Sequence, residues 1–439
     1  MNFSFKLKRR NFLQTSLWGL ASLGGLFYSG QSQEKPMSAS PASWPRIKEY
    51  RLLGRTGFKV SDIAAGAIQD EGVLRAALEA GVNYIDTAEE YPGHHRVVAK
   101  AIKGRNRKSI FITTKLAVKK PNESRASFLR RARRCLEELE TEYIDCLMMH
   151  MPERAETLQT PGFHQAMEEL KATGRVRFVG VSNHGSFWFK DPAQTMDQVL
   201  LAAADDGRFD VFLLAYNFLQ MDRGDKVLRV AHEKKIGTAL MKTTPIAIYY
   251  NLKKRVEDLE REGKKVHPLY REGLKRYQAK LARAEGFIKK YNLQNPEEIK
   301  AAAIKFCLDN PHVSTVCCLA RTYDEMEKFI SLSGTRLSRS EQARLELYRQ
   351  GCGELYCRHA CGLCEPACPH QVPVNTIMRY HYYFATQARE KEAMSLYQLL
   401  PGKKAEVCQE CPGYCEKACP YDVPIQGLLL LAHSTLTLS

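Results

Sequence analysis

Eight short apolar runs, each followed by a longer amphipathic stretch, set the strongest constraint on how this chain can fold. The runs are Asp62–Ala67, Asn83–Thr87, Ile110–Thr114, Tyr143–Met149, Val176–Ser182, Asp210–Tyr216, Gly237–Met241 and Val313–Leu319. The stretches between them, such as Glu71–Ala80 and Ser124–Leu139, space Leu and Ala at helical intervals and carry charge on the outer face. Eight strand–helix units over about 290 residues is the arithmetic of an α/β chain closed into a (β/α)8 TIM barrel. A doubly wound sheet would carry Gly-x-Gly-x-x-Gly after its first strand, and none is there. At 439 residues the chain has room for a second, smaller domain. Between the seventh and eighth runs, 251–291 is long, charged and helix-forming, and reads as a solvated helical pair serving as lid or docking surface.

The polar ends of these runs carry the chemistry. The second run ends in Asp86 and is followed by Tyr91; the third ends in Lys115 and the fourth in His150. A carbonyl that accepts hydride develops negative charge on oxygen and needs a proton there. Tyr91 would supply it, although a free phenol with a pKa near 10 is a poor acid. A Lys115 cation would lower that pKa, with Asp86 holding the lysine charged and oriented. His150 would hydrogen-bond the substrate oxygen.

These segments resemble the aldo/keto reductase family. Residues 51–61 resemble its opening hairpin. Asn83-Tyr-Ile-Asp-Thr-Ala88, Ile112-Thr-Thr-Lys115 and Tyr143-Ile-Asp-Cys-Leu-Met-Met-His150 resemble the segments that bear its tetrad. Gly180-Val-Ser-Asn183 resembles the segment that holds the nicotinamide amide, so the resemblance implies NADP(H) at Ser182 and Asn183, with Lys242 and Arg321 toward its phosphates. Three departures stand on the nucleotide side. Leu213 occupies the usual Gln position, Cys317-Cys318-Leu319 replaces Ile-Pro-Gly, and Lys328-Phe329 replaces the Glu-Asn pair that closes on adenine.

Of 14 cysteines, nine lie between Cys352 and Cys419, where short regular gaps point to metal ligation rather than to a disulfide framework. Eight form two quartets: Cys357-x3-Cys361-x2-Cys364-x3-Cys368-Pro369 and Cys408-x2-Cys411-x3-Cys415-x3-Cys419-Pro420. Zinc would call for paired Cys-x2-Cys knuckles, often with His, whereas the Cys-Pro closing both quartets favours iron–sulfur. The pattern resembles bacterial dicluster ferredoxins, with one extra residue in each quartet. That resemblance implies two [4Fe–4S] clusters in a mainly α-helical ferredoxin-like domain. It also implies that each fourth cysteine crosses over, giving Cys357, Cys361, Cys364 with Cys419, and Cys408, Cys411, Cys415 with Cys368.

At the other end, Lys8-Arg9-Arg10-Asn11-Phe12-Leu13 precedes an apolar run to Tyr28 and resembles a bacterial twin-arginine signal, implying export to the periplasm or beyond the cytoplasmic membrane. The expected organisation is a signal over 1–33, a linker over 34–46, the barrel over 47–345 and the iron–sulfur domain over 350–439. A net charge of +16 suits an acidic redox partner or a membrane surface. No basic block interleaves with aromatics, so no nucleic-acid partner is expected. The expected activity is an exported iron–sulfur oxidoreductase acting on a small carbonyl or alcohol. The alternative is an electron-transfer or interaction protein whose barrel no longer turns over free NADPH.

Overall fold

Continuous burial on both faces marks the central strands: every residue of Phe111–Ala117 and of Ile144–His150 is buried, as parallel strands covered by helices require. In the computed structural model, which describes residues 44–120, 122–185, 193–245, 257–258, 260–263, 268–387 and 389–437, a two-stranded hairpin comes first, β1 (Tyr50–Leu52) and β2 (Lys59–Ser61). The barrel strands follow as β3 (Ile63–Gly66), β4 (Tyr84–Asp86), β5 (Phe111–Ala117), β6 (Ile144–His150), β7 (Val176–Asn183), β8 (Val211–Ala215), β9 (Gly237–Met241) and β10 (Thr315–Cys318). They pair in parallel and in sequence order, and β10 returns to β3 to close the barrel. Each of the eight runs read from the sequence overlaps one of these strands, and β5, β6 and β7 extend beyond theirs, to Ala117, His150 and Asn183.

Helices α1 (Glu71–Glu79), α2 (His94–Ile102), α3 (Arg125–Glu138), α4 (Pro161–Ala172), α5 (Met196–Asp206) and α6 (Met221–Glu233) follow β3 to β8 in turn. Their starts are written locally: Asp70 accepts the Val73 amide, and Thr195 with Gln198 forms a capping box. One core lies between strands and helices, and a second fills the barrel interior. In the latter, Leu53 of the hairpin meets Tyr84, Phe111, Met148 and Leu213. Leu213 thus packs in that interior core rather than presenting a polar group.

The segment after β9 departs from the sequence reading. Helix α7 (Pro268–Lys290) is not a solvated arm: Tyr277, Ala284 and Ile288 are buried in a third core shared with the chain's end. After α8 (Pro296–Asp309), α9 (Tyr323–Ser331) and α10 (Arg339–Cys352) come α11 (Val374–Gln387) and α12 (Glu390–Gln398). A short α13 (Tyr414–Lys417) precedes α14 (Ile425–Leu436). Helices α7 and α14 cross backbone to backbone. A Cβ on Gly273 would lie 2.7 Å from the Gly427 carbonyl oxygen, and one on Gly427 would lie 2.9 Å from that of Gly273. Gly427→Val should therefore cost about 1–3 kcal/mol by overpacking. A lower urea midpoint checks this, and an unchanged midpoint would count against the crossing.

By contacts, Ala39–Ser439 forms one compact unit, so barrel and tail are packed as a single body. The signal segment and most of the linker fall among residues 1–43, outside the described residues. No helix among the described residues is long and apolar enough to cross a membrane.

Candidate functional site

At the C-terminal mouth of the barrel the four expected side chains converge. Asp86 ends β4, Lys115 lies near the end of β5, His150 ends β6, and Tyr91 stands on the loop from β4 to α2. Lys115, fully buried, donates from Nζ to Asp86 Oδ2 (2.8 Å) and to the Thr87 carbonyl (2.6 Å), while Thr113 Oγ1 donates to Asp86 Oδ1 (3.0 Å). The Lys115 ammonium lies 5.1 Å from the centre of the Tyr91 ring, and the His150 ring is 6.4 Å from it. Burial first, then the Asp86 charge, pushes the Tyr91 phenol well above the usual tyrosine range, and Arg389 pulls it back. The expected easing of that acid by Lys115 is not what this arrangement gives. The ammonium faces the ring, and its hydrogen bonds go to Asp86 and Thr87.

The loop bearing Tyr91 is pinned by residues that carry no motif. His94 bridges Thr87 Oγ1 (2.8 Å) and the Ile68 carbonyl (2.9 Å), and burial lowers its pKa to about 4, keeping it neutral. Arg131 reaches from α3 to Glu89 and Glu123. Glu90, also unread in the sequence, sits 2.9 Å from His150 Nδ1. A carboxylate at Nδ1 accepts a hydrogen bond from Nδ1–H, so the neutral ring has no proton on Nε2, which donates to a substrate oxygen only when the ring carries both protons. Burial raises the Glu90 carboxyl, but the adjacent His150 outweighs it and brings the pKa down to about 2. With the folded value below the unfolded value of about 4.3, this stability is full above pH ~5 and is lost as pH falls toward 2. Glu90→Gln should remove that slope, read as unfolding free energy against pH; parallel curves for the two proteins would refute the pairing.

Ser182 and Asn183 end β7 beside His150, fully or nearly fully buried. Asn183 Nδ2 donates to the Pro152 carbonyl (2.9 Å), while Ser182 Oγ and Asn183 Oδ1 have no partner among the described residues. A donor-acceptor pair orphaned in this way fits a carboxamide, which offers one of each. The other two nucleotide candidates meet the tail instead. The Lys242 ammonium lies 4.1 Å from the Tyr382 ring centre and 4.8 Å from that of Tyr383, both on α11. The Arg321 guanidinium donates to the Thr386 carbonyl.

The tail is therefore a roof over the barrel mouth. Tyr356 Oη accepts from Asn217 Nδ2 (3.1 Å), His359 and Gln220 exchange two hydrogen bonds (2.6 and 2.9 Å), and Tyr421 Oη donates to Asp222 (3.0 Å). Arg389 stands 5.1 Å from the Tyr91 ring and 4.4 Å from that of Tyr383. Buried Arg379 donates to Met151 Sδ (2.9 Å) and rests on Gly185. A Cβ on Gly185 would lie 2.3 Å from an Arg379 nitrogen, and its φ of +145° suits glycine. None of these tail contacts is signalled by sequence spacing.

In the tail the eight thiols fall into two neighbourhoods. Burial chiefly raises the Cys357 thiol, and its next influences are Cys361 and Cys419; Cys364 feels Cys357 first among the thiols, but also Cys415 ahead of Cys361, so the two neighbourhoods meet there. Burial pushes Cys408 up to about 12, and Cys415, Cys368 and Cys411 follow as its neighbours. A small cavity is lined by Cys368, Cys408, Cys411 and Cys415. Among the described residues no group of three His, Cys, Asp or Glu is spaced to hold a single metal ion. Thiolates around one zinc stand ~2.3 Å from it and so ~4 Å from one another, closer than the sulfurs around a cubane. Cys318 and Cys307 belong to the barrel's outer core, Cys317 packs against the interior core, and Cys352 is buried in the third core.

A closed parallel barrel with titratable groups gathered at its C-terminal mouth defines the class: an α/β-barrel enzyme. The chain belongs to the aldo/keto reductase family, whose sequence profile matches residues 64–348, and it is an oxidoreductase of that type. It is 24% identical over 319 residues to aldo-keto reductase YhdN of Bacillus subtilis, covering 67% of this chain and 91% of that protein. It is 33% identical over 111 residues to methylglyoxal reductase DkgB of Escherichia coli O157:H7, covering 25% of this chain and 41% of that one. A solved aldo-keto reductase from Bacillus halodurans, in its holo form, aligns with a TM-score of 0.49 at 21% identity, over 69% of this chain and 96% of that one.

Proposed function

We propose that this chain is an exported iron–sulfur oxidoreductase of the aldo/keto reductase type, reducing a small carbonyl or oxidising an alcohol. The convergence of Asp86, Lys115 and His150 on Tyr91 carries the reading. Tyr91 hands its proton to the carbonyl oxygen, or takes one from the alcohol in reverse. Lys115, ion-paired with Asp86, stands at the face of the ring, and His150 donates to the same oxygen. NADP(H), when bound with its carboxamide at Ser182 and Asn183, would supply or accept the hydride.

The two thiol neighbourhoods match the crossed assignment, Cys357, Cys361, Cys364 and Cys419 against Cys368, Cys408, Cys411 and Cys415, and support two [4Fe–4S] clusters. Such clusters carry single electrons, which suits exchange with a redox protein partner. Export rests on the twin-arginine resemblance, and the positive charge suits an acidic partner or a membrane surface.

A second reading is favoured by one observation: Lys242 and Arg321 are engaged by α11. On that reading the barrel is an electron-transfer or interaction module that no longer turns over free NADPH. Anaerobic purification of the full chain, followed by analysis of what denaturation releases, separates the two. Iron, sulfide and nicotinamide nucleotide with carbonyl reduction support the first. Iron and sulfide without nucleotide, and no carbonyl reduction with added NADPH, support the second. Stoichiometric zinc without iron overturns the cluster assignment in both.

A further inference from the structure

Lys242 is an unusual residue to find under a roof. It follows β9 with φ of +59°, a left-handed conformation that residues with a Cβ seldom adopt. Asn217 Nδ2 fixes its carbonyl at 2.9 Å. The turn carries its ammonium beneath Tyr382 and Tyr383, with no carboxylate paired to it among the described residues. Burial, then repulsion from Arg389 and Arg379, drives its pKa well below the usual lysine range. Three carboxylates around the barrel mouth are engaged by other cations: Glu392 with Arg389, Glu90 with His150, Asp86 with Lys115.

Directly after β7, with only β8 between it and β9, His184 is 3% exposed, and neither ring nitrogen has a hydrogen-bond partner among the described residues. Its ring lies 5.7 Å from that of His150, which ties it to the tetrad. Burial again leads in lowering the His184 pKa, and Lys242 and Arg379 follow, so both groups sense the same excess of positive charge. From the tail, His359 is 4% exposed, and its Nε2 has no partner among the described residues. Its ring lies 4.9 Å from that of Tyr382, the tyrosine that covers Lys242. Lys242 stands beside Arg389 and Arg379 with no carboxylate paired to it among the described residues, and an anion bound there, next to the orphaned imidazole nitrogens, would hold it charged.

The geometry points to a carboxylate-binding site at the barrel mouth, formed by Lys242 and His184 of the barrel with His359 of the tail, so that the substrate is a carbonyl or alcohol bearing a carboxylate. The reacting carbonyl rests on the oxidoreductase reading above, whereas the site itself is tested by binding alone. A charge-assisted contact with a buried ammonium favours a carboxylate over its uncharged counterpart by about tenfold or more. The tail's His359 makes the site a joint product of the two parts of the chain.

The test uses calorimetry on the full chain, purified anaerobically, with lactate and propane-1,2-diol as probes that differ in a carboxylate against a hydroxymethyl group. Lactate is expected to bind at least about tenfold more tightly. Lys242→Met should erase that preference, and His184→Leu should weaken it. Neither substitution removes a side-chain hydrogen bond recorded among the described residues, so a native circular dichroism spectrum is expected of each. Equal binding of the two probes, binding of neither, or a preference that survives Lys242→Met would overturn the site. So would Lys242→Met weakening NADPH or inorganic phosphate while sparing lactate, since the ammonium would then serve a phosphate. Lactate binding without any carbonyl reduction would count against the reductase reading and leave this site standing.

Discussion

Replacing Tyr91 by phenylalanine should lower kcat/KM for carbonyl reduction by about 10²- to 10⁴-fold, the usual contribution of a positioned general acid. At ~1.4 kcal/mol per tenfold, this is about 3–5 kcal/mol of transition-state stabilisation. The substitution removes only the hydroxyl. The ring remains between Lys115, 5.1 Å from its centre on one contact, and Arg389, also 5.1 Å away, with His94 and His150 at its edge. The loop is held by His94 and Arg131 rather than by the phenol. Folding should therefore be preserved while the chemistry is lost. The measurement is steady-state reduction at saturating nucleotide, beside a melting curve. A variant that melts like the parent and still reduces at the parental rate would remove Tyr91 from the mechanism. Because Tyr91 is buried and its phenol is held well above the usual range, the parent's activity should not fall through deprotonation of this group at mildly alkaline pH.

On the proposed two-cluster reading, Cys419→Ala should cost about half of the bound iron, and the half lost should be that assigned to Cys357, Cys361 and Cys364. In sequence Cys419 closes the second quartet, only four residues after Cys415. In space its thiol is among the nearest influences on Cys357 and Cys361, while Cys368 stands with Cys408 and Cys415. Double variants decide the matter through non-additivity. Adding Cys357→Ala to Cys419→Ala should remove no further iron, whereas adding Cys408→Ala should remove nearly all of it. The reverse outcome, with Cys408 and Cys419 acting as one unit, would mean that each quartet binds its own cluster without crossing. Iron and sulfide per chain, with the electron paramagnetic resonance of the reduced protein, give the readout.

The barrel was legible because its pattern is local. Strands such as β5 and β6 are buried along their whole length, so each is written as a mainly apolar run, broken by a few polar residues, at the chain positions where it folds. The tetrad was legible for the same reason. Each member ends or follows a strand, and closing the barrel brings successive strand ends to one mouth. Glu90, one residue before Tyr91, was not legible, because an acid on a loop gives no sign of which distant histidine it will meet. The amphipathic charge of 251–291 misled for a related reason. Helix α7 spends its apolar face on α14, a partner about 150 residues later, which a period within the helix does not reveal.

By itself, then, the sequence determined the strand–helix alternation, the residues at the strand ends and the two cysteine quartets. Each is set by spacing within a few dozen residues, where backbone geometry leaves little choice. Only the tertiary structure decided that the tail folds over the barrel mouth. There Arg389 rests on Tyr91, Tyr382 and Tyr383 cover Lys242, and His359 joins His184 beside the tetrad. Those partners are separated by tens to hundreds of residues. What joins them is the third core, between α7, α11 and α14, together with hydrogen bonds such as Gln220 to His359. Such contacts follow from the packing of whole surfaces, and surface complementarity is not written in the periodicity of either partner.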